Sequence, residues 1–266
     1  MNQDAFLPVW DQMGDAGEAV LCLSGFASSN WLFRLWLQDI QGSFRFLLPE
    51  NRGMGRAAPA TAPYLLDDLA KDAVRLLDHL ALAQVTVIGL SMGGFVAQRL
   101  FALAPERVKR MVLLCTSSGG EEFQPLLPLM SREQVTSLYQ LDAETRIHAA
   151  LSPQICPLLQ EHYPQLFAEV FRQRLIHQEN LQQILFQYDA VAKFLRQRQP
   201  LEQINCPVLI LAGEQDLLVP LANAQLLAKK IAHSQLAVIP DSDHLFFLEQ
   251  AEMVNRVLLD WLLRRQ

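Results

Sequence analysis

The chain carries no excess of positive charge and no long apolar run. Its 22 Lys and Arg residues are outnumbered by 28 Asp and Glu residues, which gives a formal net charge of −6. General nucleic-acid binding proteins usually show a basic excess, so the composition argues against that class. No apolar run reaches the roughly 18 residues that a membrane-spanning helix needs. We therefore expect no nucleic-acid partner and no membrane span.

The N-terminus lacks the pattern of a secretory signal peptide. The chain begins with Met-Asn-Gln-Asp at residues 1–4 and shows neither the basic segment nor the apolar segment of such a peptide. We therefore expect a cytoplasmic protein.

Cysteine is scarce and scattered. The four cysteines stand singly, at Cys22, Cys115, Cys156 and Cys206, and no Cys-x-x-Cys pair occurs. This pattern favours reduced, mostly buried cysteines over a disulfide framework or a zinc site. Cys115 follows a predicted strand, but no activating base stands beside it in the sequence. We predict neither a metal nor a cofactor.

Apolar residues alternate between two periodicities along the chain, of which 51% is hydrophobic. Short runs typical of buried strands alternate with segments whose apolar residues recur at helical spacing. The predicted strands cover residues 19–23, 44–48, 85–88, 108–114, 207–212 and 236–239, and the predicted helices cover 31–37, 67–80, 92–104, 221–231 and 251–263. This alternation predicts an α/β fold with a doubly wound, mostly parallel sheet.

Glycine is missing from a long central part of the chain. None occurs between Gly120 and Gly213, and residues 121–199 contain no β-branched run typical of a strand. Prolines interrupt this block, which favours a series of helices. We therefore predict a core domain made of residues 1–120 and 200–266, with residues 121–199 as a helical insertion.

A Gly-x-Ser-x-Gly motif, Gly89–Gly94, lies between a predicted strand and a predicted helix. This context is typical of the nucleophile elbow, in which a sharp turn exposes a serine hydroxyl at the top of a sheet. The glycines stand where side chains would collide with the turning backbone. The helix that follows offers free N–H groups to a developing negative charge. The motif predicts that Ser91 is a nucleophile.

A serine hydroxyl is a weak nucleophile until a base takes its proton. Of the six histidines, His244 alone stands just beyond the end of a predicted strand. Asp216, which also follows a strand, is the preferred acid, and Glu214 is a nearby competitor. Asp241 and Asp243 are too close in sequence to approach the histidine easily, and they suit turn capping. The acid is expected to hold the imidazole tautomer and to stabilise its protonated form.

Taken together, these segments resemble the α/β-hydrolase fold family over roughly residues 5–118 and 200–264. The matching pieces are 23–26 (Leu-Ser-Gly-Phe), 51–56 (Asn-Arg-Gly-Met-Gly-Arg), 89–94, 213–216 (Gly-Glu-Gln-Asp), 243–244 (Asp-His) and 249–250 (Glu-Gln). The resemblance implies a catalytic triad in the chain order Ser91, Asp216, His244. It also implies an oxyanion hole formed by the backbone N–H groups of Phe26 and Met92.

The chain departs from the family pattern in two loops. Ser24 stands where the family usually has a histidine, so the hydrogen bonds that support this loop must differ. Residues 50–55 (Glu-Asn-Arg-Gly-Met-Gly) replace the usual Asp-x-Arg-Gly-x-Gly. We interpret Arg52 as a residue that braces the loop rather than a catalytic one.

A serine nucleophile disfavours the dehalogenase and epoxide-hydrolase branches of the family, which need a carboxylate. The triad predicts acyl transfer to water, with an acyl-enzyme on Ser91 and His244 as the base. The expected substrate is a small or medium carboxylic ester, thioester or lactone. The alternatives are a carbon–carbon bond hydrolase, a carrier-protein-linked methyl-ester esterase of the biotin-synthesis type, and a non-catalytic ligand-binding homologue.

Residues 121–199 resemble the helical cap that covers the site in many family members. Apolar residues in the cap and near the elbow are predicted either to line an acyl pocket or to attach the cap to the core. The substrate-binding candidates are Trp31, Phe95, Phe123, Leu127 and Met130.

Four arginines cluster in the cap, at Arg172, Arg174, Arg196 and Arg198. A basic cap face would suit an acidic partner such as an acyl carrier protein. The commoner interpretation of this spacing is a solvated helix face with ion pairs along the helix. The sequence leaves the oligomeric state open.

Overall fold

A computed structural model describes residues 6–152 and 163–264. Cys156, predicted to be reduced and buried, lies outside these ranges. Within them, seven strands form one sheet, and in chain order they are β1 (Trp10–Met13), β2 (Ala19–Leu23), β3 (Arg45–Pro49), β4 (Val85–Leu90), β5 (Val108–Leu114), β6 (Val208–Gly213) and β7 (Ser234–Ile239).

The helices of the described residues lie between and after these strands. In chain order they are α1 (Trp31–Leu37), α2 (Leu66–His79), α3 (Met92–Leu103), α4 (Arg132–Leu138), α5 (Ala143–Leu151), α6 (Pro164–Ile176), α7 (Leu181–Leu195), α8 (Leu221–Lys230), α9 (Phe246–Glu249) and α10 (Ala251–Leu262). The sheet is therefore flanked by helices, as the alternating pattern predicted.

The spatial order of the strands is β1-β3-β2-β4-β5-β6-β7. Only β1 runs antiparallel to its neighbour β3, and all the other neighbours are parallel. The chain adds β3 on one side of β2 and then crosses to place β4 on the other side. The loops after β2 and β4 therefore leave the sheet in opposite directions, and such a switch point is where open α/β sheets bind ligands.

Alternate residues of the central strands face opposite sides of the sheet. Leu21 and Val87 belong to an apolar cluster that also contains buried residues of α2, α3 and α8. Val20 and Ile88 belong to a second cluster with residues of α1 and α10. Because both faces are covered, β2 and β4 are buried along their whole length and are mostly apolar, which made them recognisable in the sequence.

The predicted bounds differ from the observed ones mainly at the sheet edges. β1 was not predicted, because it is a four-residue edge strand whose residues are only half-buried or exposed. β7 begins at Ser234, two residues before the prediction, since its exposed residues interrupt the apolar pattern. The four-residue α9 was also missed because it is shorter than two helical turns.

Between β5 and β6 the chain passes through α4 to α7, and no strand occurs among its described residues. We call these four the cap helices and propose that residues 121–199 form an insertion in a core of residues 1–120 and 200–266. Cap residues Ala190, Phe194 and Leu195 of α7 are buried in the same apolar cluster as α2 and α3. In the described part of the chain, no helix combines the length and the apolar character needed to cross a membrane.

Candidate active site

Ser91 occupies a strained turn between β4 and α3. Its backbone has φ +54° and ψ −117°, a conformation that residues with side chains rarely adopt. The turn is held by the Ser91 N–H, which donates to Leu114 O at 2.9 Å. The Ser91 carbonyl accepts from the N–H of Gly94 at 2.8 Å and from Thr116 Oγ1 at 2.7 Å. These bonds fix the serine at the start of α3, where it is half-buried.

The two glycines of the motif permit close backbone packing. A β-carbon at Gly89 would lie 2.6 Å from the carbonyl oxygen of Gly93, and one at Gly93 would overlap the carbonyl oxygen of Leu23. The N-terminus of α3 therefore packs directly against the end of β2. This contact brings Ser91 next to the loop that follows β2, because a β-carbon on Gly25 would lie 3.4 Å from Ser91 Cβ.

His244 and Asp216 meet at the carboxyl ends of two adjacent strands. His244 Nδ1 lies 2.8 Å from Asp216 Oδ2. The second carboxylate oxygen of Asp216 accepts the N–H groups of Leu218 and Val219 at 2.9 and 2.8 Å. Both carboxylate oxygens of Asp216 therefore take part in hydrogen bonds, which fix the orientation of the carboxylate. Because Asp216 engages Nδ1, Nε2 is the imidazole nitrogen left for a reacting group.

The competing acids have other partners. Glu214 accepts the N–H of Asp241 at 3.4 Å, at a turn where Asp241 has φ +47°. Asp243 Oδ1 accepts the N–H of Leu245 at 3.0 Å, which is the turn-capping role that the sequence suggested for it. The structure therefore brings Asp216, and not its sequence neighbours, to His244.

Two further carboxyl groups lie nearby, that of the buried Asp243 and that of the half-buried Glu249. Burial raises the pKa of Asp243 to about 7, and the charge of Asp216 adds to the shift. Burial also raises the pKa of Glu249 to about 7, with a contribution from Asp243. The raised pKa values of these two carboxyl groups could not be predicted from the sequence, because they arise from burial in the folded protein.

Cys115 also lies near the site but has no nucleophilic character. Its backbone has φ +38°, and its side chain is buried. Burial raises the pKa of the thiol well above its usual value, and the nearby charge of Asp216 acts in the same direction. A thiol in this environment stays protonated and is a poor nucleophile.

The predicted oxyanion donors lie on the two loops that meet at the switch point. Met92 is the first residue of α3, so its N–H has no acceptor one turn earlier in the helix. Phe26 is half-buried in the loop after β2, and its N–H donates to no other group within residues 6–152 and 163–264. Neither amide donates a hydrogen bond to another group among the described residues.

The predicted substrate-binding residues have several different environments. Phe95 of α3 stacks on Phe194 of α7, with ring centroids 4.8 Å apart. Phe123 is buried in the core cluster, and Leu127 packs against it. Met130 is 42% exposed. The positions of Phe95, Phe123 and Leu127 fit the interpretation in which apolar residues attach the cap to the core, whereas Met130 lies at the surface.

Trp31 lines a cavity of about 480 Å³ between α1 and α6. Most of the residues that line the cavity have polar or charged side chains, including Asn30, Glu50 and His177. Burial raises the pKa of Glu50 to about 7. Neither Ser91 nor His244 is among the residues that line this cavity.

Two of the four cap arginines form local ion pairs. Arg172 forms an ion pair with Glu169 at 2.7 Å, and Arg198 forms one with Glu202 at 2.9 Å. Arg174 is half-buried. This arrangement fits the interpretation of helix faces with ion pairs, and it gives no independent support to a docking site for an acyl carrier protein.

Arg52 has the structural role that the sequence suggested. Its guanidinium group donates from Nε and Nη2 to both carboxylate oxygens of Asp72, at 2.6 and 2.7 Å, and both residues are buried. The prediction that Arg52 braces its loop is confirmed.

The family model of the alpha/beta hydrolase fold matches residues 18–251. The chain belongs to the α/β-hydrolase family, and it is a hydrolase. It is 28% identical to 3-oxoadipate enol-lactonase 2 of Acinetobacter baylyi, and the match covers 92% of this chain and 89% of that protein. It is 30% identical to a poly(3-hydroxyalkanoate) depolymerase of Ectopseudomonas oleovorans, over 91% of this chain and 83% of that protein.

Solved structures show the same fold. The fold is similar to that of a thermophilic esterase from Thermogutta terrifontis with a TM-score of 0.83 at 22% identity, over 96% of this chain and 92% of that one. The prediction of a mostly parallel α/β-hydrolase sheet is therefore confirmed.

Proposed function

We propose that the protein is a serine hydrolase that cleaves a small or medium carboxylic ester or lactone through an acyl-enzyme on Ser91. The observation that carries this proposal is the buried contact between His244 Nδ1 and Asp216 Oδ2, at the same sheet edge as the Ser91 turn. An imidazole held in this way is a general base whose free nitrogen can accept a serine proton.

The proposed reaction begins with proton transfer from the Ser91 hydroxyl to Nε2 of His244, as the serine oxygen attacks the substrate carbonyl. The carbonyl oxygen becomes an oxyanion, which accepts the backbone N–H groups of Phe26 and Met92. The protonated His244 then gives its proton to the leaving alkoxide. Water enters, loses a proton to His244, and attacks the acyl-enzyme in the same way. The acid is released and Ser91 regains its proton.

The relatives support an oxygen ester as the substrate class. An enol-lactone is a cyclic ester, and a polyhydroxyalkanoate is a chain of esters, so the names of both curated relatives describe cleavage of this bond. We propose the same bond for this chain, with a lactone or a short to medium acyl ester as the first substrates to test. A thioester is the next choice, because it passes through the same type of acyl-enzyme.

Labelling with a fluorophosphonate tests the nucleophile. Wild-type protein should become covalently labelled, and the Ser91→Ala variant should not. The exposed Ser137 of α4 provides a matched control, since Ser137→Ala should label like the wild type. An unlabelled wild type, or equal labelling of Ser91→Ala, would exclude an activated serine at this position and would favour a ligand-binding homologue.

Hydrolysis of p-nitrophenyl esters from acetate to dodecanoate, beside a set of five- and six-membered lactones, tests the substrate class. We expect a maximum in kcat/KM at one acyl length or on one lactone. A labelled enzyme that hydrolyses none of these compounds but cleaves a vinylogous 1,5-diketone acid would instead be a carbon–carbon bond hydrolase.

A further inference from the structure

The loop after β2, residues 24–29, carries the proposed oxyanion donor Phe26 but has little polar support of its own. The hydroxyl groups of Ser24, Ser28 and Ser29 are buried and make no hydrogen bond within the part of the chain that the structure describes. Ala27 holds φ +50°, which is costly for a residue with a β-carbon. This loop conformation therefore needs an external contact to persist.

That contact comes from the cap. The N–H of Ala27 donates to Oε1 of Gln187 at 2.7 Å, across 160 residues of sequence. Gln187 is fully buried in α7, so its side chain is excluded from water. Tyr64, which precedes α2, lies beside the same amide: burial raises the pKa of this phenol, and Gln187 opposes the shift. The acceptor end of this bond is buried, so breaking the bond would leave Oε1 of Gln187 without the Ala27 N–H in a site closed to water, and the bond therefore restrains the loop.

The hydrogen bond between Ala27 and Gln187 lies one residue from the proposed oxyanion donor, the N–H of Phe26. The bond fixes the peptide group that links Phe26 to Ala27, and so it restrains the backbone on the carboxyl side of Phe26. Gly25, on the other side, packs against Ser91. The direction of the Phe26 N–H is thus set from both sides, by the elbow and by the cap helix.

A second glutamine on the same helix face provides a comparison. Gln183 lies one turn before Gln187 and is also buried. Its Oε1 accepts the N–H of Ala60 at 2.8 Å, and its Nε2 donates to the Ala60 carbonyl at 3.1 Å. Gln183 therefore fastens α7 to a core loop that carries no proposed catalytic group, whereas Gln187 fastens it to the oxyanion loop.

We propose that Gln187 is a positioning residue that holds loop 24–29 in the conformation required for oxyanion binding, so that the cap helix α7 takes part in stabilising the transition state. This inference rests on the proposed ester hydrolysis at Ser91. It gives α7 a role beyond covering the site. Ser24, which stands where the family usually has a histidine, makes no hydrogen bond among the described residues that would support the loop, and Gln187 supplies that support instead.

The test compares Gln187→Met with Gln183→Met, since methionine has nearly the shape of glutamine but offers no amide oxygen. Removing a direct oxyanion donor lowers kcat by about 10²–10³-fold, so misplacing one should lower kcat by roughly 10- to 100-fold. We expect that loss for Gln187→Met with less than about a threefold change in KM. The affinity for a trifluoromethyl ketone inhibitor should fall in parallel with kcat, as expected for a transition-state analogue.

Several readouts separate positioning from a general loss of structure. The pH midpoint of kcat/KM should be unchanged in Gln187→Met, because His244 and Asp216 are untouched. Amide hydrogen exchange in peptide 24–29 should accelerate in Gln187→Met and not in Gln183→Met. Gln187→Glu, assayed at pH 6, keeps a side-chain oxygen that accepts the Ala27 N–H, and it should recover kcat to within about threefold. If Gln187→Met does not fold, this conservative variant and its exchange pattern decide the question.

The outcomes are distinct. Equal kcat values for Gln187→Met and Gln183→Met, in an active wild type, would overturn the positioning role and leave the proposed function intact. A wild type that hydrolyses no ester and resists the fluorophosphonate would overturn the proposed function itself, and the positioning role with it. A selective loss of kcat in Gln187→Met, with recovery in Gln187→Glu, supports both.

Discussion

Nδ1 of His244 lies 2.8 Å from Oδ2 of Asp216, and the two side chains are only 7% and 0% exposed. Asp216 is anchored in turn by two backbone N–H groups on its other oxygen. The acid cannot rotate without losing these bonds, and so the imidazole ring is fixed as well. The contact between His244 and Asp216 links the loop after β6 to the loop after β7.

Replacing Asp216 by Asn should leave the fold intact but disable the base. The amide oxygen can still accept the N–H groups of Leu218 and Val219, whereas its NH₂ group favours the wrong imidazole tautomer. We expect kcat to fall by about 10³–10⁴-fold with little change in Tm. Asp243→Asn is the matched control, since Asp243 lies beside the same histidine but bonds to Leu245. Equal losses in the two variants would contradict the assignment of Asp216.

The buried Glu50 should make stability depend on pH. Its pKa is raised to about 7 in the folded protein, mainly by burial, from an ordinary value near 4.5. The folded state therefore keeps a proton that the unfolded state has released between these values, and stability falls as the pH rises from about 4.5 to about 7. Above pH 7 this contribution no longer changes.

Denaturant unfolding of Glu50→Gln from pH 5 to pH 8 measures that contribution. Relative to the wild type, the variant should gain stability over this interval, on the order of 1–3 kcal/mol. The exposed Glu106 supplies the control, and Glu106→Gln should run parallel to the wild type. A parallel curve for Glu50→Gln as well would show that Glu50 does not titrate in this range.

The buried ion pair between Arg52 and Asp72 should be sensitive to the loss of one partner. Asp72→Asn leaves a buried guanidinium group without its carboxylate, which costs about 3–5 kcal/mol in comparable pairs. The exposed pair of Arg198 and Glu202 is the control, and Glu202→Gln should cost far less than Asp72→Asn because water screens an exposed pair. Chemical denaturation measures both values. Similar small costs would mean that water reaches the Arg52 site.

Gly93 should tolerate no side chain. A methyl group there would overlap the carbonyl oxygen of Leu23, so the N-terminus of α3 would have to move away from β2. We expect Gly93→Ala to lose more than about 3 kcal/mol of stability, together with activity. Gly42 has open space around its α-carbon, and Gly42→Ala should be neutral or stabilising by up to about 1 kcal/mol. Thermal unfolding of the two variants tests the difference.

The strands of the sheet and the role of the Ser91 turn could be predicted because both depend on the pattern of residues over a short stretch of sequence. β5 was predicted at its observed bounds, Val108–Leu114, since its residues 111–114 form an apolar run that is buried in the sheet. Gly89–Gly94 was recognisable because a tight turn restricts which residues can stand at each position. The edge strand β1 was not predicted because its residues are half-buried or exposed, so they need not be apolar.

The sequence by itself determined the order of strands and helices, the place of Ser91 between a strand and a helix, and the small set of acids and histidines that follow strand ends. Only the tertiary structure decided which acid faces His244, that Phe95 stacks on Phe194, and that Gln187 bonds to Ala27. The physical reason is the range of the interactions. Periodicity and turn geometry act over a few residues, whereas a hydrogen bond between residues 160 positions apart depends on how all the intervening elements pack.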